Sequence, residues 1–435
     1  MLAQAGLDVE VFEASPQLGG GTRTAELTLP GFRHDVCSAI HPFARASFPW
    51  ERVGIAVDWV ESPAVCAHPL DDGTAVTLER DIDATAAQLG RDARTYRRLA
   101  KPMARGLRQF FRGRLPFAAL PRALDALHSA RALARRFAEE RTRAFFAGQA
   151  AHSVLPLEQR PSGGFGLVLL AAGHAVGWPF PRRGAQAIAD ALATRLHDLG
   201  GVVHVSSPVD EVPLADVVIA DVMPRELLRL GSFPARYERA LLRYRHASAA
   251  FKVDWALDGA IPWAADACRR AATVHLGGSY DEIAESEREK RSPRPFVLLA
   301  QHTLFDDTRA PAGKHTAWAY CHVPNGSRDD RTEAIEAQIE RFAPGFRKLI
   351  LARSVRDPAA LESDNRNYLG GDINGGTMDL PQLLFRPRPS VVPWRTPRRG
   401  VYLCSAATPP GGGVHGLSGY AAARVALRDL SRRNI

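Results

Sequence analysis

The chain has 435 residues, 46% of them hydrophobic, with 56 Lys and Arg against 47 Asp and Glu for a formal net charge of +9. That length supports a large core divided between two intertwined domains, and the composition is ordinary for a globular protein. The arginines are spread along the chain, with no compact basic patch interleaved with aromatics. This argues against a nucleic-acid partner and leaves an anionic lipid or an acidic ligand open. Cys37, Cys66, Cys268, Cys321 and Cys404 stand apart without a CxxC pair. No disulfide framework or zinc site is expected, and the reading is a reducing, cytoplasmic compartment. No apolar run approaches the roughly 18 residues of a membrane span, and no basic-then-apolar leader opens the chain.

In chain order, residues 1–5 read as the tail of a helix with Gly6 as its cap. Residues 7–13 (LDVEVFE) alternate apolar and polar, as a strand does, and end in Glu13. In a dinucleotide-binding unit, the acid closing the second strand accepts hydrogen bonds from the adenosine ribose. It lies about 20 residues beyond a GxGxxG turn. Only 12 residues precede Glu13. The spacing therefore places any such turn before Met1, and we expect a short apolar strand and a GxGxxG loop to be encoded upstream.

Helices are predicted over 83–111 and 121–151. The second carries Leu124, Leu127, Leu133 and Phe137 near helical spacing, with Arg131, Arg135 and Arg136 interleaved. It reads either as a surface helix with one buried stripe or as a basic amphipathic face touching a membrane surface. Residues 162–166 (SGGFG) are Gly-rich without the lysine of a phosphate-binding loop. A helix over 184–199 ends at Gly200-Gly201. Strands at 202–206 and 217–220 return the chain to the nucleotide domain. Strands at 251–257 and 296–303 belong to a second, antiparallel sheet, with a helix over 331–346 to cover it. The C-terminal region reads as a buried strand (400–406), a Pro/Gly loop (408–416) and a closing helix (418–430).

Three loops carry the chemistry. Gly19-Gly20-Gly21-Thr22-Arg23 follows the Glu13 strand, and consecutive glycines let backbone amides approach an anion closely. In the 409–416 loop, Gly411, Gly413 and Gly416 satisfy GxGxxG. Only 19 residues follow Gly416, too few for a strand bearing a second ribose-binding acid. The same loop opening a helix offers unpaired N–H groups and a positive dipole end to negative charge on a flavin. His415 within it is a candidate acid–base residue, or a packing and hydrogen-bonding one. The 368–376 loop sets Asp372 among four glycines and is either a close-approach loop at a ligand or a tight structural turn.

Taken in order, these segments resemble the phytoene desaturase-like flavoproteins of the amine-oxidase superfamily, close to the bacterial NAD(P)/FAD-dependent oxidoreductase branch. The matching stretches are LDVEVFEASPQLGGGTRT, LPGFRHDVCSAIHP, FKVDWALDGAIPW, TVHLGG, RAPAGKHTAWAYCHVPNGS, IERFAPGF, NYLGGDINGG and YLCSAATPPGGGVHGLSGYAAA. The resemblance implies an α/β fold: a discontinuous Rossmann-like FAD-binding domain (1–60, 180–230 and 375–435) with an inserted α+β substrate domain (61–179 and 231–374). It implies that Glu13 meets the ribose and that Gly19, Gly20, Gly21, Thr22 and Arg23 line the diphosphate and flavin. It further implies that Val209 meets the adenine through its backbone and that Gly411, Gly412, Gly413 and Val414 meet the flavin ring. His415 and Asp372 are the catalytic candidates. The expected activity is hydride transfer from an apolar, isoprenoid or lipid substrate to FAD, in a pocket walled by the helices of 83–151. An amine oxidase and a flavin-free remnant acting as a binding protein are the alternatives. Arg182-Arg183-Gly184 stands where relatives carry Arg-Gly-Gly, and 246–249 (HASA) stands where they favour glycines.

Overall fold

Alternation along two strands organises the larger half of the molecule. Ala249–Leu257 and His315–Val323 pair antiparallel in the middle of a seven-stranded sheet. The sheet order is Ile350–Arg356, Ala249–Leu257, His315–Val323, Val297–Ala300, Thr273–Leu276, Cys66–Pro69, Ala75–Leu78. All neighbours are antiparallel except Thr273–Leu276 beside Cys66–Pro69. Period two sends Phe251, Val253, Trp255 and Leu257, with Ala317, Ala319, Cys321 and Val323, to one face. There they form a core with Ile335, Ile339 and Phe342 of the Thr332–Phe342 helix. Each large side chain buried this way contributes about 1.5–3 kcal/mol. The opposite face presents Lys252, Asp254, Trp318, Tyr320 and His322, all of them predominantly polar or aromatic. The computed structural model describes residues 1–112 and 114–432.

The smaller half contains two parallel strand pairs. Glu10–Phe12 pairs with Val202–His204, and Val218–Ala220 pairs with Val401–Leu403. The Gln186–Asp198 helix leads into the first pair, and the Leu417–Ser431 helix leaves the second. Gly6 caps the opening turn with φ +81°. The architecture is the expected mixed α/β one, with a nucleotide-type region and a large, mostly antiparallel sheet.

Two helix expectations are corrected. Residues 83–111 do not form one helix but two, Ile82–Ala87 and Ala93–Phe111, separated by a tight turn at Gly90–Asp92. Residues 121–151 do not form one helix. The chain runs through tight turns at Phe117–Arg122 and Asp125–Leu127, a short helix at Ala130–Ala134 and a longer one at Glu140–Ala151. Ser129 is extended and caps the Ala130–Ala134 helix by accepting from Ala132 N, which interrupts the helix that the leucine spacing suggested. Leu133 and Phe137 are buried, whereas Leu124 and Leu127 face solvent. The Gly-rich stretch at 162–166 opens a helix, Ser162–Val176, for which no element was predicted. Those glycines bring it against its neighbours. A Cβ on Gly164 would collide with the Ala126 carbonyl, and one on Gly166 would lie 3.0 Å from the Phe146 ring. Close packing outweighs the roughly 1 kcal/mol that each glycine costs a helix. The Ala93–Phe111, Glu140–Ala151 and Ser162–Val176 helices pack so closely that the cavity between Tyr96, Phe137, Phe146 and Leu170 measures about 10 Å³. The apolar pocket expected among these helices is filled there by side chains.

Asp35 joins the two halves. Its Oδ1 accepts from Thr24 Oγ1 (2.8 Å) and from Ala185 N (2.7 Å), and its Oδ2 accepts from Arg309 Nη1 (2.6 Å). Lys252 Nζ donates to its backbone carbonyl (3.1 Å). Arg309 also donates to Asp306 (2.9 Å) and to the Pro181 carbonyl (2.9 Å). Asp35 and Arg309 are both fully buried. Burial alone would raise the Asp35 carboxyl, but the Arg309 guanidinium and the donors around it hold it at about 2.

This carboxylate therefore stabilises the fold above its unfolded pKa of about 3.9, and the contribution fades as pH falls toward 2. Asp35→Asn is expected to cost about 3 kcal/mol or more, because Arg309 stays buried with one anionic partner removed. Urea unfolding should show that gap near pH 7 and a smaller one near pH 3. An equal gap at both pH values would contradict the assignment.

Candidate functional site

The carboxyl ends of the parallel strands converge. Glu13 follows Phe12, Asp221 follows Ala220, and Cys404 follows Leu403. Ligands of open α/β sheets bind outside these strand ends. Asp221 is open at its surface yet ringed by protein, as a crevice wall is. Those surroundings raise its carboxyl, and the nearby charge of Glu13 raises it further. Burial likewise pushes the Cys404 thiol up, with Asp221 adding to the effect. Glu13 is half-buried and accepts from Ser15 N at 2.7 Å, so one carboxylate oxygen shapes the turn after the strand.

The glycine loop lies beside these acids. Gly19 and Gly20 have φ of +115° and +51°, a region that disfavours side chains. Thr22 closes the loop by donating from Oγ1 to the Gly19 carbonyl (2.8 Å). Arg23 donates from Nε to the Gly20 carbonyl (2.9 Å), bonds Ser15 Oγ and pairs with Asp364. Arg23 thus braces the loop and holds a carboxylate of the other half. A Cβ on Gly21 would collide with the Tyr368 hydroxyl and lie 4.0 Å from Cys37 Cβ. Tyr368 is held far above its ordinary pKa by burial, with Cys37 contributing.

The second glycine loop is braced by His415. Leu417 N donates to its Nδ1 (3.0 Å), so Nε2 carries the proton and donates to the Gly411 carbonyl (3.1 Å). Burial lowers the imidazole to about 4 against those hydrogen bonds, which keeps it neutral. Both ring nitrogens are thereby occupied by its own loop, and His415 acts as a clamp at the start of the Leu417–Ser431 helix. Gly411 and Gly413 have φ of +115° and +117°. A Cβ on Gly412 would lie 2.6 Å from the Asn374 carbonyl, which brings the 411–414 loop against the 370–376 loop. Val414 is half-buried beside it.

Asp372 is fully buried and accepts from Ala247 N (2.9 Å), Asn374 N (2.9 Å) and Gly376 N (2.7 Å). Its oxygens order the 370–376 turn and the entry to the Ala249–Leu257 strand, the structural-turn alternative. Val209 sits at the edge of a small cluster with Val212, Leu230 and Val401, and its carbonyl accepts from Arg229 (3.3 Å).

Cys37 links the crevice to the large sheet. It lies near Tyr368 on one side, and on the other it contributes to the elevated pKa of Tyr320, which burial raises first. Tyr320 stacks on Trp318 with centroids 6.0 Å apart and planes within 6°. Beyond them come His322, Phe296 and His275. Lys252 grips Asp254 at 2.5 Å and lies over the Trp318 ring. Glu287 is paired with His322 (2.8 Å) and Lys290. Every anion on this wall thus carries its own cation. Among the described residues, the buried nitrogens Trp318 Nε1 and His322 Nε2 find no hydrogen-bond partner.

Sequence reasoning singled out Glu13 and both glycine loops, and it did not single out Asp221, Cys404, Cys37 and Tyr368. The signal for Asp221 was present: an acid ends the apolar 217–220 run, as Glu13 ends its own strand.

No family model matches the chain. It is 26% identical over 408 residues to the mouse pyridine nucleotide-disulfide oxidoreductase domain-containing protein 2, covering 80% of this chain and 68% of that protein. Among solved structures, an oxidoreductase from Methanosarcina mazei superimposes with a TM-score of 0.66 at 17% identity, covering 98% of this chain and 96% of that one. A putrescine oxidase with redesigned cofactor binding gives 0.61 at 15% identity, covering 99% and 95%. The chain is therefore similar in sequence to the pyridine nucleotide-disulfide oxidoreductase domain-containing protein 2 proteins and shares the fold of these solved oxidoreductases.

Proposed function

We propose that this chain is an FAD-dependent oxidoreductase that removes hydride from a neutral, apolar substrate of lipid or isoprenoid type. The observation that carries the reading is the convergence of Glu13, Asp221 and two side-chain-free loops at the carboxyl ends of two parallel strand pairs. FAD fits this donor set. Its adenosine ribose offers hydroxyls to Glu13. Its diphosphate and ring system need the close backbone approach that Gly19–Gly21 and Gly411–Gly413 allow. Bound FAD would supply the hydride acceptor.

The chain's own residues hold and shield. Thr22 and Arg23 fix the first loop, and His415 fixes the second with the helix N-terminus behind it. A helix N-terminus stabilises negative charge. Trp318 and Tyr320 present apolar area and exclude water from the wall toward the sheet. No general base is required of Asp372 or His415, whose polar atoms are already committed to backbone groups.

An amine substrate is the second reading, favoured by the putrescine oxidase likeness and the aromatic pair. The paired state of Asp254 and Glu287 supports the neutral substrate instead, because neither offers an unmatched charge to an ammonium group. Anaerobic bleaching of the visible flavin band tests this directly. Apolar lipids should bleach it and primary amines should not; bleaching by amines alone would reverse the assignment.

Glu13→Ala should weaken FAD binding by about tenfold or more, the worth of one to two charge-assisted hydrogen bonds. The thermal midpoint of the unliganded protein should stay close to the parent's, since among the described residues the carboxylate accepts from Ser15 N alone. Unchanged FAD affinity in a titration would reject the site. Gly412→Val should by contrast lose about 1–3 kcal/mol even without flavin, through its clash with Asn374. Its unliganded midpoint should fall accordingly.

The raised Asp221 carboxyl has the opposite pH signature to Asp35. A group whose folded pKa is elevated disfavours the fold once pH exceeds its unfolded value, about 3.9. Asp221→Asn should therefore raise the thermal midpoint at neutral pH, with the gain disappearing near pH 4. A lowered midpoint at neutral pH would show that the carboxylate is stabilising and not crowded.

A further inference from the structure

The segment between the Ala93–Phe111 and Ala130–Ala134 helices inverts the usual distribution of side chains. Large apolar residues point outward: Leu115 is 68% exposed, Phe117 62%, Leu120 62% and Leu124 74%. Small ones point inward. Ala119 seats on Gly106 so tightly that a Cβ there would collide with it, and the Ala126 carbonyl seats on Gly164 in the same way. Ala118 N donates to Gln109 at 3.0 Å, and Ser129 caps the helix that follows. The backbone is thus anchored through alanine-on-glycine contacts, and the leucines and phenylalanine are held away from the core. Isolated exposed apolar residues are common, but four within ten residues on one anchored segment mark an interaction surface.

Charge identifies the partner. Arg105, Arg112 and Arg114 flank the apolar tip and are exposed. Between Ala93 and Leu127 the sequence has one acid, Asp125, which is buried and paired with Arg122 and Arg136. A second copy docked on this surface by a two-fold axis would set guanidinium against guanidinium. An anionic bilayer would take the apolar side chains into its acyl boundary and the arginines at its phosphates. We propose that residues 114–127, with Arg112 beside them, form a membrane-docking tip that rests this protein on an anionic lipid surface. The surface is separate from the flavin crevice, and the inference does not depend on the proposed reaction.

Vesicle flotation of the full chain tests it, using phosphatidylcholine vesicles with and without phosphatidylglycerol. The protein should float with the anionic vesicles, release on adding salt, and bind the neutral ones far more weakly. Leu120→Glu/Leu124→Glu should bind at least about tenfold more weakly at an unchanged thermal midpoint, because both positions lie outside the core. Arg112→Gln/Arg114→Gln should weaken binding to anionic vesicles while retaining the fold. Failure of the parent to float overturns the proposal, as does equal flotation of parent and leucine variant. Self-association of the parent that the leucine variant abolishes, without any vesicle binding, would assign the surface to a second copy and overturn it as well.

Discussion

The position of the first glycine loop depends on one buried carboxylate. Asp35 lies on the short hairpin that follows the loop, and four separate parts of the chain bond it: Thr24, Ala185, Arg309 and Lys252. Gly184 has φ +116°, and a Cβ on it would collide with Thr24, so the start of the Gln186–Asp198 helix can approach the hairpin only because that residue has no side chain. A buried ion pair is a poor source of net stability, since desolvating both charges offsets most of their attraction. Its effect here is geometric. The hairpin, the helix start and the large sheet must meet in one register to satisfy Asp35 and Arg309 together. That register sets the distance between the glycine loop and the aromatic wall of the sheet.

Much of this was legible in the sequence where the signal was local. The strand expected at 251–257 is present and begins two residues earlier, at Ala249, and the acid ending the alternating 7–13 run marked Glu13. Paired glycines marked both loops. The signal was silent where glycine serves packing: the Ser162–Val176 helix was not predicted, and its glycines permit close helix contact. It also failed over 121–151, where leucine spacing mimics a buried stripe but the chain turns at Ser129 and leaves Leu124 and Leu127 outside. Polar residues in glycine loops look catalytic from sequence, yet Asp372 and His415 spend their hydrogen bonds on backbone. The Asp35–Arg309 pair could not be read at all, because 274 residues separate its partners.

The site that results has two parts joined through Cys37. One is the region at the strand ends, where Glu13 and Asp221 are close enough to influence each other and glycines fill the neighbouring loops. The other is the polar and aromatic face of the large sheet, where each buried carboxylate is neutralised by a lysine, histidine or arginine. The first part suits a flat, hydroxyl-rich cofactor. The second suits a substrate without charge. Among the described residues no helix is long and apolar enough to cross a membrane, and the proposed docking tip at 114–127 would meet lipid in a different way.

The central claim is that one ligand lies between the two glycine loops. Hydrogen–deuterium exchange with and without added FAD tests it most directly, because both loops carry amides that a bound cofactor would cover. Slower exchange is predicted in 19–23 and in 411–417 together, with the 114–127 segment unchanged. Exchange that FAD leaves unaltered in both loops, or that slows only elsewhere, would contradict the account.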